Sequence, residues 1–199
     1  MLSSHRDRRM PRALVIGAAA AILSSGGAAR AVQAETVPLE LQAELIKKVV
    51  RYERGFLTRS GAQIDVLLVV RAGDSGSERA AAQLAPVLRA MHDIAGKPVV
   101  VFLHHYTTAA ELREAIVSQG AELVYYTPGL ESEVAAIAAK LEGVPAITVA
   151  SESGEVDRGA VLGFELVSAR LRISINLGQA RRQRLDFNSE ILRLSRVIR

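Results

Sequence analysis

The sequence predicts an α/β protein. It is expected to form a single three-layer domain with a mainly parallel β-sheet flanked by helices, ending in an antiparallel strand pair and a C-terminal helix. Short apolar runs alternate with helical segments, and each run is continuously apolar instead of alternating with polar residues. Strands of this kind are buried on both faces, as in parallel sheets covered by helices. The four runs are residues 64–70, 98–103, 121–126 and 144–150.

An amphipathic helix over residues 37–57 is predicted to precede the sheet. Its apolar residues recur at helical spacing and form one stripe, which more often packs in a core than binds a partner. Pro38 suits the first helical turn, where its missing N–H costs nothing. The stripe consists of Leu41, Leu45, Val49, Tyr52 and Phe56.

Helices with apolar stripes are predicted after the first three runs, around residues 84–91, 112–116 and 134–141. Ser75 and Glu78 have the spacing of a capping box, which predicts that the first of these helices begins at Ser75. Residues 151–158 are polar and are predicted as a loop after the fourth run.

The last part of the mature chain is predicted as a strand pair followed by helices. Leu171, Ile173 and Ile175 alternate with polar residues, and residues 168–170 are too short for a crossover, so the two last strands should be antiparallel. Asn176 is a candidate N-cap, with Gln179 placed to reach back to it. Ile191, Leu194, Val197 and Ile198 predict one side of a C-terminal helix.

The first 34 residues are expected to be a cleaved secretory signal peptide, which leaves residues 35–199 as the mature domain. A basic segment, residues 5–12, precedes an apolar core, residues 13–23, which is too short to span a bilayer. Small residues at cleavage spacing end at Ala31 and at Ala34. The protein is therefore predicted to be periplasmic, with no stable membrane anchor after cleavage.

The basic character of the whole chain comes largely from this presequence. It carries five of the 25 basic residues and one of the 21 acidic residues, so the mature chain holds 20 of each. A balanced mature charge argues against nucleic-acid binding. The mature charge is unevenly distributed, however, since residues 158–199 hold nine arginines and three acidic residues. These arginines either solvate the surface or form a face that meets an acidic partner.

The ends of the parallel strands supply the candidate ligand-binding residues, because open α/β sheets bind ligands there. Asp74, Ser75, His105 and Tyr106 follow two of the predicted strands. The N–H groups near Ser75 are those of a helix cap or, alternatively, of an anion site.

Catalysis and metal binding find little support in the sequence. Adjacent side chains at His104 and His105 point in opposite directions, and the chain has no Cys, so no metal site is predicted. No G-x-S-x-G motif or Walker motif is present. The sequence therefore predicts a non-enzymatic protein without a cofactor. The residues at the strand ends leave a small-solute or anion-binding sensor as one hypothesis for the function.

Three C-terminal segments carry a family resemblance: residues 175–177 (INL), 180–182 (ARR) and 191–197 (ILRLSRV). Together they make the chain resemble the YfiR family of periplasmic proteins. The resemblance implies a regulator that binds an inner-membrane signalling protein through its periplasmic sensor domain and represses it, as the namesake does with a diguanylate cyclase. It also implies a homodimer. Arg181, Arg182 and Arg184 are the candidate partner-binding residues. The absence of Cys departs from the disulfide-bonded members of the family.

Overall fold

The computed structural model describes residues 37–199, so the predicted signal peptide lies outside the described residues. The strands are β1 (Ile64–Arg71), β2 (Asp93–Ile94), β3 (Lys97–Tyr106), β4 (Leu123–Tyr126), β5 (Ile147–Val149), β6 (Leu162–Val167), β7 (Arg170–Asn176) and β8 (Ser195–Ile198). The helices are α1 (Leu39–Val49), α2 (Phe56–Arg59), α3 (Ser75–Ala90), α4 (Ala109–Gln119), α5 (Val134–Lys140), α6 (Ser153–Arg158), α7 (Leu177–Arg182) and α8 (Ser189–Leu194).

The strands of the described residues form one sheet in the order β2-β3-β1-β4-β5-β6-β7-β8. Strands β3, β1, β4, β5 and β6 are parallel, and each of the four predicted apolar runs supplies one of the first four. The predicted antiparallel pair is β6 and β7, joined by a two-residue turn in which Ser168 and Ala169 both have positive φ. Such turns match the twist of the strands they connect. The predicted fold class is confirmed.

Apolar side chains fill both faces of the sheet, as continuous apolar strands require. Along β1, Val66 and Leu68 join the core on the side of α1 and α3, which we call the first face. Leu67 and Val69 join the core on the side of α4, α5 and α6, the second face. The sheet is therefore the middle layer of three.

The predicted N-terminal helix is interrupted. Helix α1 ends at Val49, a 3₁₀ turn covers Val50–Tyr52, and α2 begins at Phe56. Between them Glu53 is extended, because its backbone pairs with Phe187 and its buried carboxylate accepts hydrogen bonds from Arg59 and from the N–H of Asp186. These contacts with the distant C-terminal segment outweigh the local helical pattern.

The buried side of α1 is also rotated from the predicted stripe. Leu41 is 39% exposed, whereas Gln42 and Ile46 are buried together with Leu45 and Val49. The polar side chain of Gln42 is therefore part of the interior.

Two further predictions near the C-terminus are corrected. The C-terminal helix α8 ends at Leu194, and Val197 and Ile198 lie in β8, which pairs in parallel with β7. The predicted polar loop contains α6, which begins with a capping box between Glu152 and Glu155. Sheet pairing in the first case, and burial of Glu155 in the second, are tertiary effects.

Candidate functional site

The carboxyl ends of β1 and β4 form a crevice at the point where the chain reverses direction across the sheet. From β1 the chain continues to β3 on one side, and later to β4 on the other. Ligands of open α/β sheets bind at such a switch point. The two loops here contact each other, since Nη1 of Arg71 donates to the carbonyl of Gly129 at 2.7 Å.

Buried hydroxyl groups hold the two sides of this crevice together. Ser77 Oγ lies 2.5 Å from Thr127 Oγ1, and both residues are fully buried. Because the Thr127 hydroxyl donates to the carbonyl of Val69 at 2.8 Å, the Ser77 hydroxyl is the donor to Thr127. The N–H of Arg71 in turn donates to Ser77 Oγ at 2.8 Å. The bottom of the crevice is thus fully hydrogen-bonded.

Asp74 and Ser75 lie at the start of α3, on the rim of this crevice. The N-cap is Asp74, not Ser75 as predicted: its Oδ1 accepts the N–H of Ser77 at 2.8 Å. The shift of one residue follows from the extended backbone of Asp74, which lets its carboxylate fold back onto the first turn of the helix. An incoming anion would therefore meet the carboxylate of Asp74 at this helix terminus.

His105 and Tyr106 end β3, and they lie on opposite faces of the sheet. His105 is exposed, whereas the hydroxyl of Tyr106 donates to Glu133 Oε2 at 3.1 Å in front of α5. Burial, together with the neighbouring Glu133 carboxylate, raises the pKa of Tyr106 to about 12. The neighbouring His104 is partly buried, and burial lowers its pKa. The four predicted ligand-binding residues therefore do not converge on one cavity.

A cavity of about 350 Å³ lies beside the crevice, between the start of α1, the first half of α3 and the ends of β4 and β5. Its walls are mainly apolar, with four polar side chains. The lining residues are Val37, Pro38, Leu39, Gln42, Ala80, Gln83, Leu84, Tyr125, Pro128 and Ser151.

Two of the polar side chains in this wall are hydrogen-bonded to each other. The hydroxyl of Tyr125 donates to Oε1 of Gln42 at 2.7 Å, and Nε2 of Gln42 donates to the carbonyl of Val37 at 2.8 Å. Burial raises the pKa of Tyr125 well above its ordinary value, so the phenol stays neutral. This bond fixes α1 to β4 and holds the cavity open on one side.

Glu155 lies directly behind the Ser151 hydroxyl. The Oε2 atom accepts from Ser151 Oγ at 3.2 Å and from the N–H of Glu152 at 3.0 Å. The Oε1 atom is buried and has no hydrogen-bond partner among the described residues. Burial raises the pKa of Glu155 to about 7. Sequence reasoning missed Glu155 and Gln42, because nothing in a polar loop pattern or an apolar stripe indicates a buried polar side chain.

The predicted partner-binding arginines lie at the amino ends of the parallel strands, opposite the crevice at the carboxyl ends. The carbonyl of Arg182 accepts the N–H of Gly143, just before β5, at 2.8 Å, and the guanidinium of Arg184 also lies near Gly143. Arg181 is exposed. Arg182 differs from its neighbours, because its Nε and Nη2 both donate to Oε1 of Gln179, at 2.9 and 2.6 Å. The length of the strands thus separates the arginines from the predicted ligand-binding residues at the carboxyl ends.

Two buried glutamines underlie these arginines and are joined to Arg182 by hydrogen bonds; we call Gln179, Arg182 and Gln183 the Gln179 cluster. Nε2 of Gln179 donates to the carbonyl of Ala138 at 2.9 Å, and Nε2 of Gln183 donates to that of Ala146 at 2.7 Å. The predicted N-cap at Asn176 is confirmed, with Oδ1 accepting the N–H of Gln179 at 2.8 Å. Gln179 does not reach back to Asn176 as predicted, because its side chain is committed to this cluster.

Within residues 37–199, no three His, Asp or Glu side chains come together in an arrangement that could hold a metal ion.

Among the helices of the same residues, none combines the length and the apolar character needed to cross a bilayer.

The profile of the YfiR/HmsC-like family matches residues 40–196, which is nearly the whole described domain. The chain belongs to the YfiR/HmsC-like family. Membership agrees with the resemblance of the C-terminal segments, and it implies a periplasmic regulator of diguanylate cyclase signalling. A comparison with curated protein sequences gives no match.

Three solved structures share the fold at low sequence identity. The ABC domain in complex with L-Trp from Streptococcus pneumonia has a TM-score of 0.56, with 11% identity over 81% of this chain and 62% of its own. A conserved domain protein from Vibrio cholerae has a TM-score of 0.53, with 13% identity, 81% of this chain and 60% of its own. A substrate binding protein with adhesive properties from Clostridium difficile, in a ligand-free open structure, has a TM-score of 0.55, with 15% identity over 82% of this chain and 60% of its own. The chain spans about three fifths of each, and the likeness concerns the fold alone.

Proposed function

We propose that the mature protein is a non-catalytic periplasmic regulator that binds the periplasmic sensor domain of an inner-membrane signalling protein, a diguanylate cyclase, and represses it. The observation that carries the proposal is the family match over residues 40–196. The leader peptide that would export the chain, residues 1–34, is part of the same proposal.

The proposed contact surface is the exposed arginine pair Arg181 and Arg184. Both side chains are exposed, and neither forms a salt bridge within the described residues. Their charge is therefore available to an acidic partner surface. The side chain of Arg182 lies between them in the sequence but is held by Gln179, so its first role is in the fold.

Repression requires that the regulator bind the inactive conformation of the sensor domain more tightly than the active one. A ligand shifts a two-state equilibrium only through this difference in affinity. If the two conformations of the sensor domain are equally populated, about a hundredfold difference in affinity, or roughly 2.7 kcal/mol, would reduce the active conformation to about 1%.

The test is capture of the membrane partner by residues 35–199 from membranes of the host. Wild type is compared with the charge reversals Arg181→Glu and Arg184→Glu combined. The matched control reverses Arg79 and Arg113, which are also exposed, on α3 and α4. We expect capture of a cyclase by wild type and by the control, and at least tenfold weaker capture by the test variant. Equal capture by both variants would refute the site, and the absence of a signalling protein from the captured material would refute the function.

We also propose that two copies pair through the outer edge of β3. Strand β1 pairs with one edge of β3, and on the other, outer edge β2 pairs only with Lys97 and Pro98, so no strand of the described residues covers the outer edge from Val99 to Tyr106. This edge carries no Asp, Glu, Lys or Arg, and Leu103 is 50% exposed. Uncovered, uncharged strand edges are templates for another strand.

Antiparallel pairing centred on Leu103 would place Val101 of each copy beside His105 of the other, with no like charges in contact. Light scattering of the mature protein tests this pairing. We expect a dimer that Leu103→Lys dissociates, while Leu194→Lys, at a position 71% exposed in α8, leaves it intact. A monomeric wild type, or a dimer that survives Leu103→Lys, would contradict it.

A further inference from the structure

We propose that the cavity between α1, α3 and the ends of β4 and β5 binds a small organic cation with a hydrocarbon group. The ligand would be an organic amine whose hydrocarbon part fills the cavity and whose ammonium group lies at Ser151, beside the carboxyl group of Glu155. This site is at the opposite edge of the sheet from the arginines, so the inference does not depend on the proposed regulatory contact.

The shape and lining of the cavity suit a compact hydrocarbon group. Its volume of about 350 Å³ is within the range of small-molecule sites. The side chains of Leu39, Ala80, Leu84 and Pro128 supply apolar walls from three different elements. Burial of a ring or a branched chain here would remove apolar surface of both partners from water.

The charges around the cavity select the sign of the ligand. No Lys, Arg or His is among the lining residues, so an anion would find no countercharge. The amide of Gln42 is already hydrogen-bonded through both its oxygen and its nitrogen. Ser151 remains as the polar group at the end of β5, and its hydroxyl touches the Glu155 carboxyl group.

The Oε1 atom of the buried Glu155 carboxyl group lacks, among the described residues, the hydrogen-bond donor or cation that normally accompanies a buried carboxylate. The side chain is fully buried, Oε1 accepts no hydrogen bond, and no salt bridge of the described chain involves it. Buried carboxylates are costly unless they are paired. The capping box explains Oε2 alone, and a glutamine oxygen would serve that cap equally well.

Among the described residues, none of the groups that face Glu155 is positively charged, so none of them competes with a bound cation. They are Ser151 and the N–H of Glu152 before α6, the carboxylate of Glu131 before α5, and the phenols of Tyr125 and Tyr126 on β4. Burial raises the pKa of both phenols, so they stay neutral, and Glu131 adds negative charge. An ammonium group in the cavity would therefore be attracted by two carboxyl groups and repelled by none of the facing groups.

Binding of a cation should depend on pH, because it requires the charged form of Glu155. With a pKa of about 7 in the free protein, the carboxylate is the minor form at pH 6 and the major form at pH 8. The affinity for a cation should then rise about tenfold between these values. The affinity for a neutral molecule of the same shape should not rise.

Three probes of nearly equal shape and different charge test the site on residues 35–199: benzylamine, benzyl alcohol and benzoate. Binding is measured by calorimetry and by ligand-observed NMR at pH 6 and pH 8. We expect benzylamine to bind with a dissociation constant of about 1 mM or tighter at pH 8. Benzyl alcohol should bind more weakly, and benzoate should not bind.

Two pairs of variants locate the binding. Ala80→Phe fills the cavity and should abolish benzylamine binding, whereas Ala82→Phe, at an exposed position of the same helix, should leave it unchanged. Glu155→Gln keeps a capping oxygen without the charge, and should make benzylamine and benzyl alcohol bind alike. Should Glu155→Gln fail to fold, the wild-type comparison at pH 6 and pH 8 makes the same distinction, because only the benzylamine affinity depends on the charge of Glu155.

Each remaining outcome would overturn the proposal. These outcomes are no benzylamine binding at pH 8, benzoate binding as tight as that of benzylamine, an affinity for benzylamine that does not change with pH, or binding that survives Ala80→Phe. Capture of a membrane partner by the same preparation, with or without these results, reports separately on the regulatory proposal.

Discussion

The polar groups at the cavity and those of the Gln179 cluster satisfy their hydrogen bonds to different extents. In the cluster, the buried amides of Gln179 and Gln183 donate to backbone carbonyls, and Arg182 completes the set. Behind the cavity wall, Glu155 contacts the lining residue Ser151 through Oε2 and keeps its buried Oε1 without a partner among the described residues. Polar groups that are fully paired stabilise the fold, whereas an unpaired group beside a cavity reduces stability and is available to a ligand. Substitution of Gln179 and removal of the Glu155 charge should therefore have effects of opposite sign on the free energy of unfolding.

The largest expected effect is in the Gln179 cluster. Gln179→Leu removes the bond to the Ala138 carbonyl and leaves Arg182 and Gln183 without their partner, so the free energy of unfolding should fall by about 3 kcal/mol. Urea unfolding monitored by circular dichroism measures it. The control is Arg181→Ala on the exposed side of α7, which should change stability by less than about 0.5 kcal/mol. Equal small effects would mean that the cluster does not hold α7 in place.

At the cavity, Glu155→Gln should instead stabilise the protein at pH 8. The folded-state pKa of Glu155 is raised above its unfolded value, so its contribution to stability is fully present below about pH 4.5 and is lost as pH rises through about 7. Removal of the charge should raise the free energy of unfolding by about 2 kcal/mol at pH 8 and change it little at pH 4. Unfolding curves of both proteins at the two pH values measure the difference. Destabilisation at pH 8 would mean that the charged carboxylate is compensated in the folded protein.

The bond between Tyr125 and Gln42 is the paired part of the cavity wall, so it should behave like the cluster. Tyr125→Phe leaves the Gln42 oxygen without its donor and should lower the free energy of unfolding by about 1 kcal/mol. Tyr106→Phe loses a bond to Glu133 at a half-buried position and should have a smaller effect. Thermal unfolding of both variants measures the two effects. The reverse order would contradict the role of Tyr125 in holding α1 to the sheet.

The smallest effect distinguishes the two residues at the start of α3. Asp74→Ala removes the N-cap and should lower stability by about 1 kcal/mol, whereas Ser75→Ala should change it by only a few tenths. Both values come from chemical unfolding of the mature protein. A larger effect of Ser75→Ala would restore the predicted capping box.

Prediction from the sequence succeeded where the signal is local. The capping bond that Asn176 accepts from the N–H of Gln179 and the turn at Ser168 and Ala169 depend on neighbouring residues. The site was less predictable, because its residues come from α1, α3, β4 and β5, and no short-range pattern links Gln42 to Tyr125. The positions of Asp74 and Tyr106 at strand ends were predictable, but their side chains point to different partners.

The sequence by itself determined the parallel apolar strands, the antiparallel pair and the family, because periodicity and short motifs are properties of contiguous residues. Only the tertiary structure decided the interruption of the first helix at Glu53, the strand β8 in place of a longer helix, and the cavity beside Glu155. It also decided that the arginines and the strand ends lie at opposite edges of the sheet. In each case the deciding contacts join segments that are far apart in the chain, such as the bond from the Asp186 N–H to Glu53. The free energy of such contacts outweighs local propensity, which is a fraction of a kcal/mol per residue, about 0.7 at most for ordinary residues.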